Sequence, residues 1–62
     1  MVNIEKIKEL MQQKGTKQVE LAKVAGVSEA FVTNMLKGYK NPSLEVAKRI
    51  ANYFDVKIDD LI

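Results

Sequence analysis

The chain has 62 residues, 47% of them apolar and 29% charged, and ten basic against eight acidic side chains leave a formal net charge of +2. It contains neither cysteine nor histidine, which excludes a disulfide framework, a thiolate metal site, and the commonest general base and metal ligand. What remains is a mildly basic globular domain near the lower size limit for folding alone, where only about 60% of the unfolded surface is buried.

Ile4, Ile7, Leu10 and Met11 recur at helical spacing, with Glu5, Lys6, Lys8 and Glu9 on the other side. With Asn3 as N-cap and Gly15 just past the end, they predict a first helix from Ile4 to Lys14. A second helix is predicted from Gln18 to Ala25, with Leu21, Ala22 and Ala25 turned inward. Gly26 stops it, because glycine accepts the left-handed conformation that other residues resist. Only Val27 and Ser28 intervene before helical spacing resumes with Val32, Met35 and Leu36. Ser28 caps this third helix, about residues 28–37, and Gly38 ends it. After a loop from Tyr39 to Pro42, Ser43 caps a fourth helix, and Leu44, Ala47, Ile50, Ala51 and Phe54 line its inner face. Val56, Ile58 and Leu61 predict a short fifth helix, with Asp59 and Asp60 near its positive N-terminal end. No stretch alternates with period two. The expected fold class is all-α, a single compact five-helix domain over residues 1–62.

The informative constellation is the pair of helices joined at Gly26. Small residues at the junction, Ala22 and Ala25, let two short helices cross steeply, as in a helix-turn-helix. The N-terminal half of the second of them then projects from the body, and a helix about 10–12 Å across fits the major groove of B-DNA. Charge follows the same division. Lys17, Lys23, Lys37 and Lys40 in the middle of the chain outnumber Glu20 and Glu29, whereas Asp55, Asp59 and Asp60 make the last third acidic. A bound polyanion would meet the middle of the chain.

Gly15, Gln18, Glu20-Leu21-Ala22, Gly26-Val27-Ser28, Val32, Gly38, Asn41-Pro42-Ser43-Leu44, Ile50-Ala51 and Val56 stand in a distinctive order and spacing. In them the chain resembles the Cro/CI-type, lambda-repressor-like helix-turn-helix family, from about Ile4 to Leu61. The resemblance implies that Gln18 approaches a phosphate and touches the recognition helix. It implies that Ser28, Glu29, Ala30, Thr33 and Asn34 face the base edges, while Lys37, Tyr39, Lys40 and Asn41 hold the sugar-phosphate backbone; Lys17, beside Gln18, is expected to add a further phosphate contact. Side-chain chemistry is compatible with each role: Asn34 can pair bidentately with adenine, Glu29 can accept from cytosine N4, and Ala30 can touch a thymine methyl. Lysines are point charges suited to phosphates. Each residue also has a plainer reading. Glu29 suits the positive end of the third helix, Asn34 serves as a solvated amide, and Tyr39 lies over the core with its hydroxyl in water. Phe31 stands where the family usually has a small polar residue. It could stack on sugar or thymine methyls, cover the second helix, or contact a protein.

Two departures from the family pattern carry physical expectations. Lys17 replaces the usual Ser or Thr before Gln18, and lysine accepts no hydrogen bond. Either Thr16 caps one residue earlier or the helix end frays, at about 1 kcal/mol. Met11 and Leu36 stand where the family commonly has an arginine and a glutamate. Exchanging a buried ion pair for packed apolar groups is often neutral or better, so Met11 and Leu36 are expected to touch.

The leading functional expectation is a DNA-binding transcriptional regulator, a repressor, dimerising on a palindromic operator. Val46, Tyr53, Leu61 or Ile62 would supply the apolar contact between copies. The alternative is a protein-interaction module on the same scaffold, such as an antitoxin or an antagonist of another regulator, motivated by Val19, Val24 and Phe31. An enzyme is not expected, and no cofactor, metal or small-molecule ligand is implied: Asp59 and Asp60 are adjacent and face different ways, without further oxygen ligands. No apolar run approaches a membrane span and the N-terminus lacks an apolar signal core, so a cytoplasmic protein is expected.

Overall fold

Four α-helices follow one another in the computed structural model, which describes residues 2–62: α1 (Ile4–Lys14), α2 (Gln18–Ala25), α3 (Glu29–Leu36) and α4 (Leu44–Tyr53). A single 3₁₀ turn, Ile58–Asp60, closes the chain, and the described residues contain no strand. The fold is therefore all-α, but the expected fifth α-helix is corrected to this one turn. Its hydrogen bonds run from Asp60 N–H to the Lys57 carbonyl and from Leu61 N–H to the Ile58 carbonyl, the tighter i to i+3 pattern that a three-residue segment can close.

Local chemistry accounts for the helix ends. Asn3 accepts the Lys6 N–H at 3.1 Å, Ser28 that of Phe31 at 3.0 Å, and Ser43 that of Val46 at 3.2 Å. Each satisfies one of the N–H groups that a helix start leaves without an internal partner. The third helix ends at Leu36, one residue before its expected limit; Lys37 is already its C-cap. Beyond it, the Tyr39 N–H turns back to the Asn34 carbonyl at 2.9 Å.

The core draws on every element. Ile7, Leu10 and Met11 from α1, Leu21, Ala22 and Ala25 from α2, and Val32 and Met35 from α3 meet Ala47, Ile50 and Ala51 from α4. Leu61 is fully buried beneath them, and the Asn3 N–H bonds to its carbonyl, which ties the C-terminal segment to the start of α1. No buried polar or charged residue interrupts this core among the described residues. Helix α2 packs on α3 and α4, α1 packs on α3, and the terminal turn packs on α4. Met11 is buried and Leu36, half-buried, packs against the same cluster.

Leu44 departs from its expected inward place and is 58% exposed. At about 100° per residue it lies about 70° from the mean direction of Ala47, Ile50, Ala51 and Phe54, in the first turn of the helix. It therefore clears the edge of the core.

Candidate nucleic-acid interface

Helix α3 has two opposed faces. Val32 and Met35 are buried in the core. About 100° per residue puts Glu29, Ala30, Thr33 and Asn34 together in a ~140° arc on the other side. Glu29 and Ala30 are exposed, and Thr33 and Asn34 half-buried. Ser28, at the head of the helix, is also exposed, but its oxygen is occupied by the Phe31 N–H, leaving its hydroxyl proton to donate outward. The Glu29 carboxylate and the Asn34 amide have no side-chain partner among the described residues.

Gln18, at the first position of α2, is exposed and reaches across to α3. The Thr33 hydroxyl donates to Gln18 Oε1 at 2.6 Å. The packing of α2 on α3 thus brings together two side chains fifteen residues apart, and the Gln18 amide nitrogen has no partner among the described residues. Lys17 precedes it as the N-cap residue in extended conformation. Glu20 accepts the Lys17 backbone N–H at 3.1 Å, so one half of a capping box is present. The other half is missing, since an ammonium has no lone pair to offer. Thr16 does not replace it: its hydroxyl lies 3.2 Å from that of Tyr53. The first N–H groups of α2 are left without a side-chain acceptor.

At the far end of α3, Lys37, Tyr39, Lys40 and Asn41 are all exposed. Tyr39 is 76% exposed, which removes the reading in which its ring lies over the core. Phe31 does turn to the core: it is half-buried and packed against the apolar cluster. Of the side chains suggested for contact between copies, Leu61 is excluded by its complete burial. Tyr53 is half-buried and engaged within the chain, with Lys14 Nζ 5.1 Å from its ring centroid and the Phe54 ring 4.9 Å away edge-on. Val46 is half-buried and Ile62 exposed.

Arg49 is a component that sequence reasoning missed. From α4 it donates through Nη1 to the Ala25 carbonyl at 3.1 Å, and through Nη2 it pairs with Glu45 at 2.8 Å. Ala25 is the last residue of α2, so a guanidinium clamps the turn that delivers α3 to its position. The fork geometry of arginine allows both bonds at once. The Glu45–Arg49 spacing of four was visible in the sequence, as was the fact that Arg49 is the only arginine. The partner 24 residues earlier was not.

No helix among the described residues is long and apolar enough to cross a membrane, and no cluster of acidic side chains there could hold a metal ion.

Comparison with known proteins agrees with this geometry. A helix-turn-helix family model matches residues 7–61. Two uncharacterised HTH-type transcriptional regulators from Archaeoglobus fulgidus are each 41% identical over 56 residues, covering 90% of this chain and 80% and 79% of theirs. An HTH-type transcriptional regulator of Deinococcus deserti is 29% identical over 58 residues, 94% of this chain but 45% of its own length. The chain belongs to the Cro/CI-type helix-turn-helix family, a family of DNA-binding transcriptional regulators.

Proposed function

We propose that the chain is a sequence-specific repressor that lays α3 in the major groove of double-stranded DNA and binds a palindromic operator as a homodimer. The observation that carries this is the outer arc of α3, where Glu29, Thr33 and Asn34 stand opposite the core with lysines at both ends of the motif. Base-edge reading requires polar groups that are free to meet a base, and the Glu29 carboxylate and the Asn34 amide have no side-chain partner among the described residues. Asn34 suits adenine, Glu29 suits cytosine N4, and Ala30 suits a thymine methyl. Ser28 can donate its remaining proton.

The backbone contacts fall to Lys17, Gln18, Lys37, Tyr39, Lys40 and Asn41. The uncapped start of α2 gains a function in this reading. Its open N–H groups and the Gln18 amide are donors for a phosphate, and a helix N-terminus favours an anion. The lysine that replaces a capping side chain therefore exchanges some helix stability for a cation at the same spot.

A palindromic operator calls for two copies. One domain measures 25 × 24 × 19 Å, whereas successive half-sites on one face of DNA lie about 34 Å apart. Val46 and Ile62 are the remaining apolar candidates for contact between the copies. In this reading residues 1–62 form one DNA-binding domain that works in the cytoplasm and takes no cofactor. The alternative of a protein-interaction module loses part of its motive, because Phe31 and Val24 are half-buried and only Val19 of the three is exposed.

Selection from a random duplex pool at moderate salt, followed by gel shift, tests the reading. A two-fold symmetric consensus should emerge, bound with two copies. Asn34→Ala should lower affinity by about 1–3 kcal/mol and relax one position, whereas Lys40→Ala should weaken all duplexes alike and reduce the salt slope by about one. Absence of any preferred duplex ends the proposal.

A further inference from the structure

We infer that the hydrogen bond between Gln18 and Thr33 fixes the polarity of Thr33, so that it selects an amino-bearing base, cytosine or adenine, over a keto base at the pair it meets. The inference rests on the DNA-reading proposal and deepens it. A threonine hydroxyl has one proton and two lone pairs, and in isolation it rotates to suit whatever faces it. Here the proton is committed: Thr33 donates to Gln18 Oε1 at 2.6 Å, the length of a strong O–H···O bond. Toward the groove Thr33 presents only oxygen lone pairs and its methyl group.

The major groove offers amino donors at cytosine N4 and adenine N6, and acceptors at guanine O6 and N7 and at thymine O4. An acceptor-only Thr33 is matched by the first pair and opposed by the second. Every base pair contains one amino and one keto base in this sense. The selection therefore concerns which strand carries the amino base, C·G over G·C and A·T over T·A, rather than base composition. Thymine offsets part of its mismatch by meeting the threonine methyl with its own, so the discrimination is sharper between cytosine and guanine. Gln18 is the positioning residue. It touches no base in this scheme, yet it sets what Thr33 can recognise.

Three variants at these two positions separate the components, with binding profiles read by sequencing the bound fraction of a randomised duplex pool. Thr33→Val keeps the shape and removes the hydroxyl; it should flatten an amino preference of about three- to tenfold at one position, the worth of a single net hydrogen bond. Gln18→Ala frees the Thr33 proton and should flatten the same position, although no base contact has been deleted. Gln18→Glu still accepts the proton, so the preference should persist while affinity for every duplex falls through repulsion from phosphate. Neither side chain belongs to the buried core, and melting curves check that the variants are folded. A keto base at the Thr33-dependent position overturns the inference. So does a Gln18→Ala profile that keeps the amino preference, or a Thr33→Val profile indistinguishable from the parent. If the parent itself enriches no duplex, the DNA-reading proposal falls and takes this one with it; an enriched consensus without the pattern removes only the role assigned to Thr33.

Discussion

A left-handed residue follows each of the four helices, and the turns after α2 and α4 are built differently. After α2 the residue is Gly26, φ 73°; after α4 it is Asp55, φ 56°. Both turns return N–H groups to the helix. Gly26 and Val27 both bond to the Ala22 carbonyl at 2.9 and 3.1 Å, and Val56 bonds to that of Ala51 at 3.0 Å. At Gly26, however, a Cβ would sit 2.9 Å from Arg49 Nη1. The backbone at Gly26 favours glycine, and a Cβ would in addition push aside the flexible end of the arginine that clamps Ala25. Asp55 meets only the first demand, and as an L-residue it carries a penalty on the order of 1 kcal/mol, eased because aspartate tolerates this region. The turn that aims α3 is constrained from two sides, and the turn that leads only to the terminal 3₁₀ segment from one.

The largest effect expected lies outside both turns and sets their scale. Leu36→Glu places a charge against the apolar cluster on which Leu36 packs and should cost about 3 kcal/mol, while adding Met11→Arg should restore part of it. Chemical denaturation of both variants checks this, and a double variant no more stable than Leu36→Glu alone refutes contact between the two side chains. Next comes Gly26→Ala. It strains the backbone and displaces Arg49, for about 2 kcal/mol and roughly 10 °C in Tm. Its affinity for a selected duplex should fall further than unfolding explains. Arg49→Ala should cost about 1 kcal/mol, discounted because the side chain is half exposed, and Arg49→Lys about half that, since one of two bonds can be kept. If Gly26→Ala is equally costly in an Arg49→Ala background, the second constraint on this turn does not exist. The smallest effect has the opposite sign. Asp55→Gly should raise stability by about 0.5–1 kcal/mol and leave duplex affinity unchanged. A loss of affinity there would break the contrast between the turns.

The candidate interface was legible in part. Asn34, Glu29 and Ala30 announce themselves because they fall opposite Val32 and Met35 at helical spacing. Tyr39 and Phe31 did not, since a large side chain at a helix end can fold either way until its neighbours are known. Tyr39 finds no surface to cover and stays 76% exposed, whereas Phe31 finds the core. Thr16 stands in sequence where it could cap α2 and is instead paired with the Tyr53 hydroxyl, a partner 37 residues away.

The sequence by itself determined the four helices and nearly all their limits, because caps such as Asn3, Ser28 and Ser43 and stops such as Gly15 and Gly26 act within three or four residues of where they stand. It also determined which stripe of each helix is apolar, except at Leu44, which clears the edge of the core. Only the tertiary structure decided which polar groups meet: Gln18 with Thr33, Arg49 with the end of α2, Thr16 with Tyr53. Those pairings depend on how helices cross, and the crossing is set by packing of the shared core as a whole, a property that no local window of residues contains.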